Sequence, residues 1–418
     1  MSGKSPEPPR SPGLVSPFHL QTMNTAPGFP SCGRGRRVGL ITTLLFGLLA
    51  SACGQEAAPG AERIAAELQP FVENRVLSGA VTLVANKETI LSLVAVGYAD
   101  VGAKKAMRTD DIFWIASMSK PITAAAVMML VDEGKLLVDD PVEKYLPEFK
   151  GQMVIAEKDA THQLLRKPKR PIAIRDLLSH TSGMSFRSGI EEPVLDLYPL
   201  EARVRSYAMM PLEFEPGTKY QYANSGINTA GRIVEVISGL SFEDFLEQRL
   251  FRPLDMRDST FRPTEAQVER IAKSYKGNHD NSDIVETPIH QLHYPLHDQA
   301  RGVVPGGGLF STATDIAHFC QMVLNGGVYA GRRLLSETSV KAMTTRQTAE
   351  STSKSYGFGF QTNGAKYGHL GAYNTNLSID SRRGLITVFM VQNAGWRSPD
   401  GTKIHGKFYQ MAMELFGR

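Results

Sequence analysis

Apolar residues Ile64, Leu68, Phe71 and Val72 fall three or four apart within residues 61–75, the spacing of one face of an amphipathic helix. Two apolar runs follow, residues 80–85 and 90–97, separated by Asn86-Lys87-Glu88; this pattern predicts a β-hairpin. The far end of the chain repeats the theme. Thr375, Leu377 and Ile379 alternate with polar positions, Asp380-Ser381-Arg382-Arg383-Gly384 supplies a turn, and the apolar run 385–392 reads as a buried strand. A last helix puts Ile404, Phe408, Met411, Ala412 and Leu415 on one stripe. Between these ends, residues 113–350 read as mostly helical with long loops. An antiparallel sheet built from both chain ends, flanked by helices and carrying an inserted helical lobe, accounts for the whole pattern. The fold class is α+β.

Composition narrows the function. Of 418 residues, 42% are hydrophobic and 21% charged, a globular balance with ample length for a core. The net charge of +4 comes from the first 53 residues, which hold five of the 46 basic and one of the 42 acidic residues. The rest is neutral and has no basic run, which argues against nucleic acid as a partner. Arg34-Gly35-Arg36-Arg37, the uncharged residues 38–52 and then Cys53 have the layout of a secretory signal. The apolar run is shorter than the roughly 20 residues a bilayer crossing needs. Ala50-Ser51-Ala52-Cys53 resembles a bacterial lipoprotein cleavage box, with Ala50 where Leu is usual. Residues 1–33 then read as a disordered leader or as sequence upstream of a true start such as Met23. Residues 34–53 are the signal peptide, and 54–418 the working domain. The implied location is exported: periplasmic, or a membrane-anchored lipoprotein of a bacterial cell envelope, touching the membrane only through a lipid on Cys53. With Cys53 acylated, Cys320 is left alone and no disulfide framework forms.

Three short segments carry candidate chemistry. Ser117 and Lys120 stand three apart just before an apolar helix, residues 122–131, so their side chains meet on one face. Pro121 belongs in a first helical turn, which places Ser117 at the positive end of the helix dipole. A serine beside an amine that burial can deprotonate is a workable nucleophile. Ser351-Thr352-Ser353-Lys354 has the same spacing without a following apolar helix and reads as loop. In Tyr222-Ala223-Asn224, the phenol and the amide project the same way from an extended segment, suiting proton transfer and orientation of a lysine or carbonyl. In His369-Leu370-Gly371-Ala372, a glycine allows close backbone approach and the next N–H can serve an oxyanion.

In this order the segments resemble the serine β-lactamase and penicillin-recognising superfamily, whose nucleophile motif is Ser-x-x-Lys. The likeness spans about residues 75–418 and is strongest to the class C β-lactamase, D-alanyl-D-alanine carboxypeptidase and family VIII carboxylesterase branch. Ile174-Arg175-Asp176-Leu177-Leu178-Ser179-His180-Thr181-Ser182-Gly183 and the stretch from Gly306-Gly307-Gly308 to Asp315 look like landmarks of that family. The resemblance implies an acylated Ser117, Lys120 as its activating partner, and Tyr222 as the base that also protonates the leaving group. It makes Asn224, His369 and Gly371 substrate-orienting and gives the oxyanion hole to the N–H groups of Ser117 and Ala372. It calls for no metal and no organic cofactor. His369-Leu370 stands where many β-lactamases have Lys-Thr, which removes a charge and a hydroxyl from carboxylate recognition. That tilts the expectation toward a carboxylesterase of small esters. The alternatives are a β-lactamase or D-Ala peptidase or D-aminopeptidase acting on peptidoglycan-derived amides, and a non-catalytic binding module of the same fold. A protonated His369 would instead serve a substrate anion.

Other residues fit structure better. His290, His293 and His297 are interrupted by Pro295 and lack a carboxylate at ligand spacing, so they read as a loop bordering the cleft. His180 reads as a hydrogen-bonded turn residue and Cys320 as a buried helix residue. Trp396 either walls the pocket or covers the sheet.

Overall fold

The structure, a computed structural model, describes residues 59–417 apart from Ser353; the leader, the signal segment and Cys53 lie outside the described residues. Helix α1 (Pro59–Glu73) leads into strands β1 (Gly79–Ala85), β2 (Ile90–Asp100) and β3 (Lys105–Ala106). The C-terminal part supplies β4 (Gln361–Asn363), β5 (Lys366–Leu370), β6 (Asn376–Asp380) and β7 (Leu385–Met390). These seven form one antiparallel sheet in the order β4-β5-β6-β7-β1-β2-β3. At its centre, strands from opposite chain ends pair, with Leu83 opposite Val388.

Being central, β1 and β7 are covered on both faces, which explains their unbroken apolar runs. Val81, Leu83, Ile386 and Val388 enter the main core under the lobe. Ala80, Val84, Leu385 and Phe389 meet Ile64 and Leu68 of α1 and Phe408 near the C-terminus. Full burial of an aliphatic side chain contributes about 1.5–3 kcal/mol, so a one-residue slip of either strand would be costly.

The lobe between β3 and β4 contains α2 (Ser119–Asp132), α3 (Leu200–Ala208), α4 (Asn224–Ser238) and α5 (Ala313–Leu324); α6 (Ile404–Phe416) closes the chain. Residues 119–130 of α2 are buried all round, as expected of a helix without a polar face. The lobe is less helical than its sequence predicts. It includes the hairpin Val154–Lys158 with Gln163–Arg166, and Tyr275–Gly277 pairs with Ile284–Glu286 in a separate small sheet. Trp396 packs with the α1 and α6 cluster, beside His405, and so covers the sheet. Cys320 is fully buried in α5.

Candidate active site

Ser117 lies in a single 3-10 turn, Ala116–Met118, that runs directly into α2. Within residues 111–130 it is the one residue that is not buried. The turn is pinned from several sides. Phe113–Trp114 pairs with Phe310–Ser311, the Trp114 indole donates to Gly307 O at 2.8 Å, and the Ser119 hydroxyl donates to Ala116 O at 2.6 Å. Ala116 takes φ +46°, left-handed for a residue with a Cβ. Such a conformation costs about 1–3 kcal/mol and persists only where its surroundings over-determine it.

Lys120 is fully buried one turn further on. Its Nζ lies 3.0 Å from Ser117 Oγ and donates to Asn224 Oδ1 at 2.8 Å and to Gly306 O at 2.6 Å. The Tyr222 ring sits 4.6 Å from the same nitrogen. No carboxylate pairs with it among the described residues, and burial pulls its pKa well below the ordinary lysine value. A neutral amine has two N–H groups and one lone pair. Here the two carbonyl-type oxygens match the N–H groups, and the lone pair is left for the Ser117 hydroxyl.

Asn224 opens α4, and Tyr222 stands two residues before it, so both face Lys120 as the extended segment implies. Burial pushes the Tyr222 phenol up, with the nearby Ser117 hydroxyl partly offsetting it. At neutral pH this group is a proton donor. Beside it, His180 takes φ +59° and accepts the Ala223 N–H on Nδ1 at 3.2 Å. Its ring centroid is 4.5 Å from that of Tyr222 and 4.7 Å from that of Tyr356. Burial holds His180 neutral, so it supports the phenol as an aromatic wall.

Gly371 follows β5 and must be glycine. A Cβ there would come within 2.6 Å of Ile115 O and closer still to Thr375 Oγ1. The strand end therefore runs against the turn that carries Ser117. Among the described residues, neither the Ser117 nor the Ala372 N–H donates to an acceptor, as an oxyanion pair requires.

His369 departs from expectation. Its ring is 2% exposed; Nδ1 donates to Leu370 O at 2.7 Å and Nε2 meets the Tyr356 hydroxyl at 3.0 Å. Burial, with Lys120 close by as the lesser cause, lowers its pKa to about 3. Both nitrogens are occupied, and the ring neither titrates near neutrality nor offers a charge to a substrate anion. Leu370 points to the opposite side of β5 and is 45% exposed. A cavity of about 560 Å³ adjoins these residues, lined by Tyr220, Tyr356, His369, Leu370 and Asn376 among others. Another, about 580 Å³, lies between Asp100 and Tyr294, and none of the site residues lines it.

His290, His293 and His297 lie on a loop without helix. His290 Nε2 meets Thr287 Oγ1 at 2.8 Å, while Ile289, Leu292 and Leu296 pack against Trp114 and Tyr373 behind the Ser117 turn. Two contributions escape the motif reading: the Gly306 carbonyl, whose glycine run is marked only as a landmark, and Tyr356, which no local signal marks.

The match to a beta-lactamase family profile covers residues 64–407. Protein Rv1367c of Mycobacterium tuberculosis is 32% identical over 78% of this chain and 89% of its own length. Esterase EstB of Burkholderia gladioli is 31% identical over 73% of this chain and 80% of its own. Among solved structures, EstCE1, described as a hydrolase with promiscuous acyltransferase activity, superposes with a TM-score of 0.70. It covers 84% of this chain and 97% of its own at 20% identity, a likeness of fold alone.

Proposed function

The chain belongs to the beta-lactamase family and is a serine hydrolase; from that premise we propose that it hydrolyses small neutral esters through an acyl-enzyme on Ser117. The observation that carries the reading is the buried Lys120 amine, matched to two carbonyl-type oxygens and 3.0 Å from Ser117 Oγ. Lys120 accepts the Ser117 proton as Oγ bonds to the ester carbonyl carbon. The carbonyl oxygen becomes an oxyanion against the Ser117 and Ala372 N–H groups. Its collapse breaks the bond to the leaving alkoxide, which takes a proton from the Tyr222 phenol, and Tyr222 is reprotonated from Lys120. Water then repeats the sequence on the acyl-enzyme and releases the acid. The environment thus favours Lys120 as base and Tyr222 as acid, whereas the family pattern assigns the basic role to Tyr222.

Ester preference rests on the neutral His369 and the exposed Leu370, which give a substrate carboxylate neither a charge nor a hydroxyl. A relative named as an esterase supports the same class. A turnover panel tests it: p-nitrophenyl butyrate should exceed a chromogenic cephalosporin and a D-Ala-D-Ala peptide in kcat/KM. Leu370→Thr should raise cephalosporin kcat/KM by up to about tenfold, the worth of one added hydrogen bond, and leave the ester unchanged. Cephalosporin turnover should not rise as pH falls through the usual histidine range, because His369 stays neutral there. Wild-type protein that prefers the cephalosporin would remove the esterase reading.

Export and acylation at Cys53 belong to the same proposal, supported by the basic cap, the apolar run and the small residues before that cysteine.

A further inference from the structure

We propose that Thr123 and Asn228 are positioning residues that clamp the Pro305–Gly306 peptide and thereby aim Lys120 at Ser117; the inference rests on the acyl-enzyme reading above. Gly306 enters the site through its carbonyl, the acceptor for Lys120 Nζ at 2.6 Å. A loop carbonyl is only as well aimed as the peptide that precedes it. That peptide is held at both of its polar atoms. Pro305 O accepts from the Thr123 hydroxyl at 2.7 Å, and the Gly306 N–H donates to Asn228 Oδ1 at 2.8 Å. Thr123 lies about one turn after Lys120 on α2, Asn228 lies one turn after Asn224 on α4, and both are fully buried. The two helices that carry the amine and its amide partner therefore also grip the loop between them.

Asn228 has no freedom to turn. Its Oδ1 must face the Gly306 N–H, so Nδ2 donates to the Tyr207 hydroxyl at 2.9 Å. Tyr207, on α3, donates in turn to Glu191 Oε1 at 2.6 Å, a carboxylate buried against Arg203. Asn228 Nδ2 also reaches Glu191 Oε1 at 3.5 Å, so the amide, the phenol and the carboxylate are tied to one another, which makes the network rigid. Packing brings the loop onto α4: a Cβ on Gly231 would fall within 2.7 Å of Pro305 Cβ.

Without the clamp, Gly306 O drifts and the N–H it holds is free to turn onto Ser117 Oγ, moving the lone pair away from the hydroxyl proton. The loss should fall on kcat and spare KM, since the clamp acts on the amine and not on substrate.

Thr123→Val and Asn228→Leu, singly and together in the full chain, test this with p-nitrophenyl butyrate, alongside Tm. Each single variant should lower kcat about ten- to a hundredfold, the scale of an ångström-level misplacement, with KM changed by less than about threefold. The double variant should be no worse than the weaker single by more than about threefold, because both groups hold one peptide. Thr123→Val exchanges a hydroxyl for a methyl of equal size, so it decides the matter even if Asn228→Leu does not fold. A Thr123→Val enzyme with wild-type kcat, a loss carried by KM, or losses that multiply would each overturn the proposal. Ser117→Ala, assayed in parallel, separates the failures. If it is inactive while Thr123→Val is fully active, the clamp is wrong and the acyl-enzyme reading stands; if it still turns over ester, that reading has itself failed.

Discussion

Lys120→Ala is expected to lower kcat by a factor on the order of 10³ or more, and Tyr222→Phe by a similar factor. Lys120 Nζ is the group placed to take the Ser117 proton, and its replacement also strands Asn224 Oδ1 and Gly306 O without a donor. Tyr222→Phe keeps the ring against His180 and removes only the hydroxyl, so the fold should survive. The proton that Lys120 takes from Ser117 is the one that afterwards restores the Tyr222 phenol, so the two residues work as one relay. The double variant should therefore be no slower than the slower single, measured by steady-state turnover with Tm checked for each protein. Clean multiplication of the two losses would mean that they do not work as one relay.

Gly371→Ala is expected to lower kcat about 10²- to 10³-fold, the scale of losing one oxyanion-hole donor. The new methyl would strike Ile115 O and Thr375 Oγ1, so the strand end must move. Ala372 moves with it, because its N–H follows directly in the chain. Ile115 is two residues before Ser117, so the other oxyanion donor is disturbed as well. The comparison is kcat and near-ultraviolet circular dichroism against wild type. Native spectra with kcat within about threefold of wild type would show that Ala372 takes no part.

Much of the β-lactamase/transpeptidase-like fold was legible because its ends are built from local signals. The runs at 80–85 and 385–392 are strands buried on both faces, and the stripes of α1 and α6 repeat at helical spacing. The small β-pairs of the lobe were not legible: residues 154–158 are only partly apolar and mostly exposed, and their pairing depends on distant backbone. At the site, Ser117 and Lys120 were separable from Ser351 and Lys354 only by the apolar helix that follows. That helix is what buries Lys120 and so lowers the pKa of its amine, favouring the unprotonated form that can accept a proton.

His369 shows the opposite limit. Residue type and a place near a strand end are all that can be read locally, and from these an imidazole that titrates near neutrality is the natural expectation. The outcome is set by Tyr356 and the Leu370 carbonyl, which fill both nitrogens of a buried ring. The role of Gly306 was hidden for another reason: it acts through a carbonyl, which every residue possesses, and only the grip of Thr123 and Asn228 distinguishes it.

The central claim is a covalent intermediate on Ser117. Intact-protein mass spectrometry after exposure to a fluorophosphonate, followed by peptide mapping, addresses it most directly. Wild-type protein should gain one phosphonyl group on the peptide containing Ser117, and Ser117→Ala, with an unchanged Tm, should gain none. A Ser117→Ala protein that still takes up the label, or a label found on any other residue, would contradict the account.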